Sequence, residues 1–156
     1  AFTRAEGPLL RELAMKVQRR HGAAHPELAK LAELVHTLFD ELSPHMEREE
    51  RVLYPYIEAL ERASEGGVPV SAPFGSVNAP IRVMTADHEA AGMLLDDIVR
   101  ATHHFVAPPE ACGSWVNLYD RLRAHDADLR RHVWLENEVV FPRAIELEER
   151  SARSAR

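Results

Sequence analysis

The stretch His45-Met46-Glu47-Arg48-Glu49-Glu50-Arg51-Val52-Leu53-Tyr54-Pro55 decides the fold, because it occurs a second time. The second copy is His132-Val133-Trp134-Leu135-Glu136-Asn137-Glu138-Val139-Val140-Phe141-Pro142. The two share the His, a Glu four residues on, a Val at the eighth place, an aromatic at the tenth and a Pro at the eleventh. A lone His-x-x-x-Glu carries little weight in a chain with 9 His and 25 acidic residues. One frame repeated at full length is hard to assign to chance.

Both copies lie in apolar stripes of helical period. Around the first, Leu28, Leu31, Val35, Leu38, Leu42, His45, Glu49, Val52, Tyr56 and Leu60 recur at alternating steps of three and four, from about Pro26 to Ala63. Around the second, the stripe is Trp115, Leu118, Leu122, His125, Leu129, His132, Glu136, Val139 and Val140, in a helix expected from about Ser114. A third helix, expected from Pro80 with Asn78 as cap, aligns Ile81, Met84, His88, Ala91, Leu95, Ile98 and Val99. The first helix is expected to begin at Pro8, with Leu10, Leu13, Val17 and His21 on its seam and Gly22 ending it. Pro44 and Pro55 predict a kink or break, since each removes a backbone hydrogen bond. Residues 64–80, rich in Gly, Pro and Ser, read as one long loop pinned by Phe74. No segment alternates with period two. The expected class is therefore all-α, an antiparallel four-helix bundle, with one domain over residues 1–150 and a frayed tail over 151–156.

Ionised carboxylates and imidazoles replace leucines inside these stripes. Buried charge is costly unless it is paired or bound to metal. Imidazole with carboxylate suits iron, manganese or zinc. A His and a Glu four apart share one helical face, so both reach one centre. A carboxylate has two oxygens and can bridge two metals, which predicts a di-metal site in the core with Glu49 and Glu136 as bridges. A single core His is usually a hydrogen-bonded structural residue. Here four seam His, namely His21, His45, His88 and His132, and two seam Glu, Glu49 and Glu136, must be explained together, and metal explains them together.

Helix arithmetic places some of these ligands. His88 lies about 27 Å before the end of its helix near Val106, and His132 about 27 Å after Ser114, so an antiparallel hairpin puts them level. For the first hairpin, His21 sits at the turn while His45 is about 28 Å beyond it if the second helix runs straight from Pro26. Either residues 22–30 include extended chain, or His21 is not a ligand. Glu41 and Asp128 lie four residues before His45 and His132, which extends the repeat to acid-x3-His-x3-Glu and makes them candidates for holding the outer ring nitrogens. His125 reads as a packing residue or a support of the same kind. His36 falls off the metal face, His25 reads as turn chemistry, and His103 and His104 are expected in the last turn of the third helix, favourable to its dipole. Glu33-x-x-His36 has no second copy, so a ferritin-type pair fails on count.

A net charge of −6 argues against binding nucleic acid by electrostatics. No apolar run approaches about 20 residues, so no membrane span is expected. The first residues carry no signal-peptide pattern. The single Cys112 excludes an intrachain disulfide and a CxxC pair, and suits a reducing cytoplasm.

The chain resembles hemerythrin-like proteins, and within them the RIC family, repair of iron centres. The resemblance rests on His21-Gly22-Ala23-Ala24-His25-Pro26-Glu27-Leu28, His45-Met46-x-x-Glu49-Glu50 through Tyr54-Pro55, and Pro80-Ile81-x-x-Met84. It continues in His88-Glu89-Ala90-Ala91-Gly92 and in His132-x-x-x-Glu136-Asn137 through Phe141-Pro142-Arg143-Ala144. It implies two iron ions, oxo- or hydroxo-bridged, with Glu49 and Glu136 as bridges and His21, His45, His88 and His132 as terminal ligands. One more ligand His is implied upstream, which by spacing falls just before Ala1, outside this numbering. The small cysteine-bearing N-terminal domain often found in the family is not part of this sequence. Protection or repair of iron–sulfur clusters after nitric oxide or oxidative damage is the implied function, through iron donation or nitric oxide reduction. Nitric oxide or dioxygen would be the small ligands and iron–sulfur proteins the partners. The alternative is a hemerythrin-like sensor or carrier of oxygen, nitric oxide or iron that binds without turnover.

Overall fold

The computed structural model describes residues 2–64, 70 and 74–154. Among these the chain is all-α. Four helical rods carry it: α1 (Phe2–His21); α2 (Glu27–Arg48) continuing into α3 (Tyr54–Ser64); α4 (Asn78–Ala101); and α5 (Gly113–Leu135) continuing into α6 (Phe141–Ser154). No described residue is in a strand. The chain divides into two compact units. One comprises residues 1–43 and 90–131, the other residues 44–89 and 132–156.

In the first unit α1 starts well before Pro8, the start expected from the sequence. The missing Pro8 N–H removes only the bond to the Arg4 carbonyl, close to the helix start. Gly7 of α1 lies against the Phe39 ring of α2, and a Cβ there would lie 3.0 Å from Cδ1 of Phe39. The buried seam of α1 is Leu10, Ala14 and Val17. The same unit buries Leu31, Val35, Leu38 and Leu42 of α2, Leu95 and Ile98 of α4, and Trp115, Leu118, Leu122 and Leu129 of α5. Each fully buried Leu contributes about 1.5–3 kcal/mol of transfer free energy. Antiparallel neighbours are tied by Arg11 to Asp40 at 2.8 Å and by Arg130 to Asp96 at 2.7 Å.

The end of α4 departs from expectation. The helix stops at Ala101, and His103, His104 and Phe105 all take positive φ, at 47°, 60° and 62°. His103 and His104 therefore lie in a left-handed turn and not in a last helical turn. Three neighbouring non-glycine residues in that region are uncommon. The turn is held by Thr102, whose Oγ1 donates to the Ile98 carbonyl (2.8 Å) and accepts from the Phe105 N–H (3.1 Å), and by Arg123, which donates to the Phe105 carbonyl (2.7 Å).

In the second unit α3, α4 and α6 bury Leu53, Tyr56, Leu60, Val77, Ile81, Met84, Phe141, Ala144 and Leu147. Phe74 meets Tyr56 edge-on at 5.0 Å and ties the long loop to this core; residues 65–69 and 71–73 of that loop lie outside the described residues. The N-terminus of α4 is capped by Ser76 and not by Asn78: Ser76 Oγ accepts from the Asn78 N–H (3.2 Å) and donates to Glu148 (2.7 Å).

Neither Pro44 nor Pro55 breaks its rod. One turn before Pro55 the helix widens into a π turn, Glu49–Leu53, closed by the Tyr54 N–H on the Glu49 carbonyl. One turn before Pro142 the same widening occurs over Glu136–Val140, closed by the Phe141 N–H on the Glu136 carbonyl. A π turn holds one more residue than an α turn, and each of these two lies just before a proline. The departure from the expected seam is local, since Tyr56 and Leu60 beyond the first turn stay buried as expected. Val52 and Val139, expected in the core, are 42% and 51% exposed, while Leu53 is fully buried and Phe141 is 3% exposed.

Candidate metal centre

Both π turns begin on the repeated glutamates, and both glutamates are buried in the second unit. His45, one turn before Glu49, and His88, midway along α4, are buried with them. One ligand atom each from His45, Glu49, His88 and Glu136 lies within 4.8 Å of the others. His45 Nε2 is 2.9 Å from Glu49 Oε1, and His88 Nε2 is 3.1 Å from Glu136 Oε2. His132 Nε2 is also 3.1 Å from Glu136 Oε2, with its side chain 44% exposed. The His45 and His88 rings sit 4.9 Å apart, and Phe141 lies face-on against His88 at 5.7 Å.

The outer nitrogens of the two buried rings define their tautomers. His45 Nδ1 is 3.1 Å from Asp87 Oδ2, which Arg48 also engages at 2.5 Å. His88 Nδ1 is 3.0 Å from Asn137 Oδ1. A carboxylate and an amide oxygen only accept, so each Nδ1 carries the proton. Each neutral ring then aims a lone pair from Nε2 at a carboxylate oxygen. Glu49 Oε1, His88 Nε2 and Glu136 Oε2 are buried without a hydrogen-bond partner. Lone pairs facing oxygens at this distance repel unless a cation lies among them. The donor set fits a metal on that ground.

The same crowding displaces the titration of the group. Burial by itself would lower the His45 imidazolium, but Glu49 and Asp87 outweigh it and its pKa is raised. His132 is raised by Glu136, against the effect of burial. Burial would raise the Glu136 carboxyl, yet His132, His88 and the Tyr54 hydroxyl hold it well below the usual carboxylate range. Asp87 is likewise lowered: His45 and Arg48 prevail over burial. Tyr54 donates from its hydroxyl to Glu136 Oε1, and burial and that carboxylate push its own pKa up.

The residues expected from the sequence divide between the two units. His45, Glu49, His88, His132 and Glu136 come together in the second. His21 belongs to the first, where Nε2 lies 3.2 Å from Cys112 Sγ and the ring is 5.0 Å from Trp115. Residues 22–26 make a tight turn, with the Ala24 and His25 N–H groups both donating to the His21 carbonyl, and α2 begins at Glu27. The extended chain over residues 22–30, one of the two alternatives the spacing left open, is not there. Glu41 and Asp128 are exposed residues of the first unit, and the outer nitrogen of His45 is held by Asp87 instead. His125 is buried 4.9 Å from Phe39, and burial lowers its pKa. Asp87, Asn137, Arg48 and Tyr54 were not singled out from sequence. Asp87 and Asn137 each neighbour a site residue in the chain, which on one helix points them elsewhere, and their partners are on other helices. Tyr54 had a signal, being the one aromatic of the repeated pair that carries a hydroxyl.

Buried imidazoles paired with carboxylates, set on π turns of long helices, define a cation-binding helical domain. The chain belongs to the hemerythrin family: the Hemerythrin HHE cation binding domain matches residues 3–144. It is 38% identical over 133 residues to the iron-sulfur cluster repair protein YtfE of Cronobacter sakazakii, covering 85% of this chain and 54% of that protein. It is 37% identical over 134 residues, with the same coverage, to the proteins of that name from Salmonella paratyphi B and Salmonella newport. The chain thus spans about half the length of the curated relatives it matches. No helix among the described residues is long and apolar enough to cross a membrane.

Proposed function

We propose that this chain is the di-iron domain of an iron–sulfur cluster repair protein, acting where nitric oxide or oxidants damage clusters. The observation that carries the reading is the convergence of His45, Glu49, His88 and Glu136 in one buried group, with His132 at its exposed edge. The relatives named for cluster repair support it. In this reading His45, Glu49, His88, His132 and Glu136 would hold the two irons, with the two glutamates as the groups able to serve both. Bound as a ferrous pair, the metals supply two electrons and positions open to small diatomic ligands such as nitric oxide or dioxygen. The chain's own residues orient and exclude. Asp87 and Asn137 fix the ring tautomers of His45 and His88, and Phe141 covers His88. His132, half exposed, marks the side open to solvent.

Protein isolated from iron-supplied cells should carry two irons per chain by metal analysis. It should restore activity to an iron–sulfur enzyme inactivated with nitric oxide. Zinc, or no metal, in that preparation defeats the di-iron reading, and two irons without restored activity defeats the repair role.

A further inference from the structure

The two repeats are nearly symmetric about the site, and one atom breaks the symmetry. At the tenth place of each frame stands an aromatic whose N–H closes the π turn on the site glutamate: Tyr54 on Glu49 and Phe141 on Glu136. Phe141 has no hydroxyl and stacks on His88. Tyr54 has one, and it donates across to Oε1 of Glu136, the glutamate of the other repeat. Glu136 is left with Oε2 for metal, and that oxygen already faces His88 and His132 at 3.1 Å. Glu49 gains no matching donor from Phe141, and its Oε1 faces His45 at 2.9 Å.

We propose that Tyr54 makes the two metal positions unequal. By holding Oε1 of Glu136, its hydroxyl commits that carboxylate to the position flanked by His88 and His132. The position at His45 and Glu49 fills second, because the Tyr54 bond competes for Oε1, the oxygen through which Glu136 would reach it. Tyr54 is thus a positioning residue that acts through Glu136. The inference rests on the two-metal reading above.

The test uses the metal-free chain and its Tyr54→Phe variant, titrated anaerobically with cobalt(II) and followed by visible absorption and calorimetry. Phe is the residue that the second repeat carries at the same place, so the substitution removes the hydroxyl with little change of shape. The wild-type chain should bind two cobalt ions in two resolved steps. In Tyr54→Phe the second step should tighten about tenfold, the scale of one hydrogen bond to a buried charged acceptor. The first step should stay within about twofold. Two equal sites in the wild type, or an unchanged second step in the variant, overturns the proposal. Saturation at one ion or none overturns the two-metal reading itself. A merely structural role for the hydroxyl would lower the melting temperature and leave the spacing of the two steps unmoved.

Discussion

His45 Nδ1 lies 3.1 Å from Asp87 Oδ2, and that contact turns the other ring nitrogen onto Glu49 at 2.9 Å. A carboxylate on the outer nitrogen fixes the tautomer and raises the basicity of a ligating imidazole. Asp87→Ala should therefore weaken metal binding about 10–100-fold. Asn137→Leu should act in the same sense through His88, and competition with a chelator of known affinity measures both. Affinity unchanged in both variants would leave these contacts without a part in metal binding.

Glu49→Ala and Glu136→Ala should each leave at most about one metal ion per chain, because each removes a carboxylate from a buried group that has two. Metal analysis after desalting reads the count. Retention of two ions by either variant would exclude that residue as a bridge.

The histidines predict a pH dependence. His45 and His132 have folded pKa values raised above 6.5. In the metal-free protein their contribution to stability is full below 6.5 and is lost as the pH rises through the raised values. Metal binding requires the same nitrogens unprotonated, so it strengthens over that interval. His125, whose pKa is lowered, contributes with opposite sign in both forms and cancels in their difference. The rise in melting temperature caused by metal should therefore grow between about pH 6 and about pH 8. Parallel melting curves of the metal-free and loaded protein across that range check it, and a difference independent of pH would contradict the assignment.

The π turn makes a prediction about two adjacent residues. In the metal-free protein, Leu53→Ala should cost about 2–5 kcal/mol by emptying a fully buried site. Val52→Ala should stay within about 0.5 kcal/mol, because that side chain is 42% exposed. Urea unfolding of both variants checks this register, and equal losses in the two would contradict it.

Much of the site was legible in the repeat. Period fixes which face a residue occupies along one helix, so His45, Glu49, His88 and Glu136 could be read as inward from spacing alone. The seam of α4 from Ile81 to Ile98 was read the same way and is buried as expected. The prolines were visible too, but not the answer to them. Widening and breaking a helix both satisfy a proline, and the choice depends on what packs around the turn.

The sequence by itself determined the helical class, the paired His/Glu frame and the inward placement of most of the site group, because these follow from helical period and the cost of burying charge. Only the tertiary structure decided what holds the rings in place. Asp87, Asn137 and Tyr54 act across from one helix to another, and no spacing along the chain encodes such a contact. It also decided the place of His21, set beside Cys112 by a tight turn whose conformation helical period does not specify. And it decided the register beyond Glu49 and Glu136. One extra residue in a π turn brings Phe141 into the core and leaves the two matched valines, Val52 and Val139, exposed.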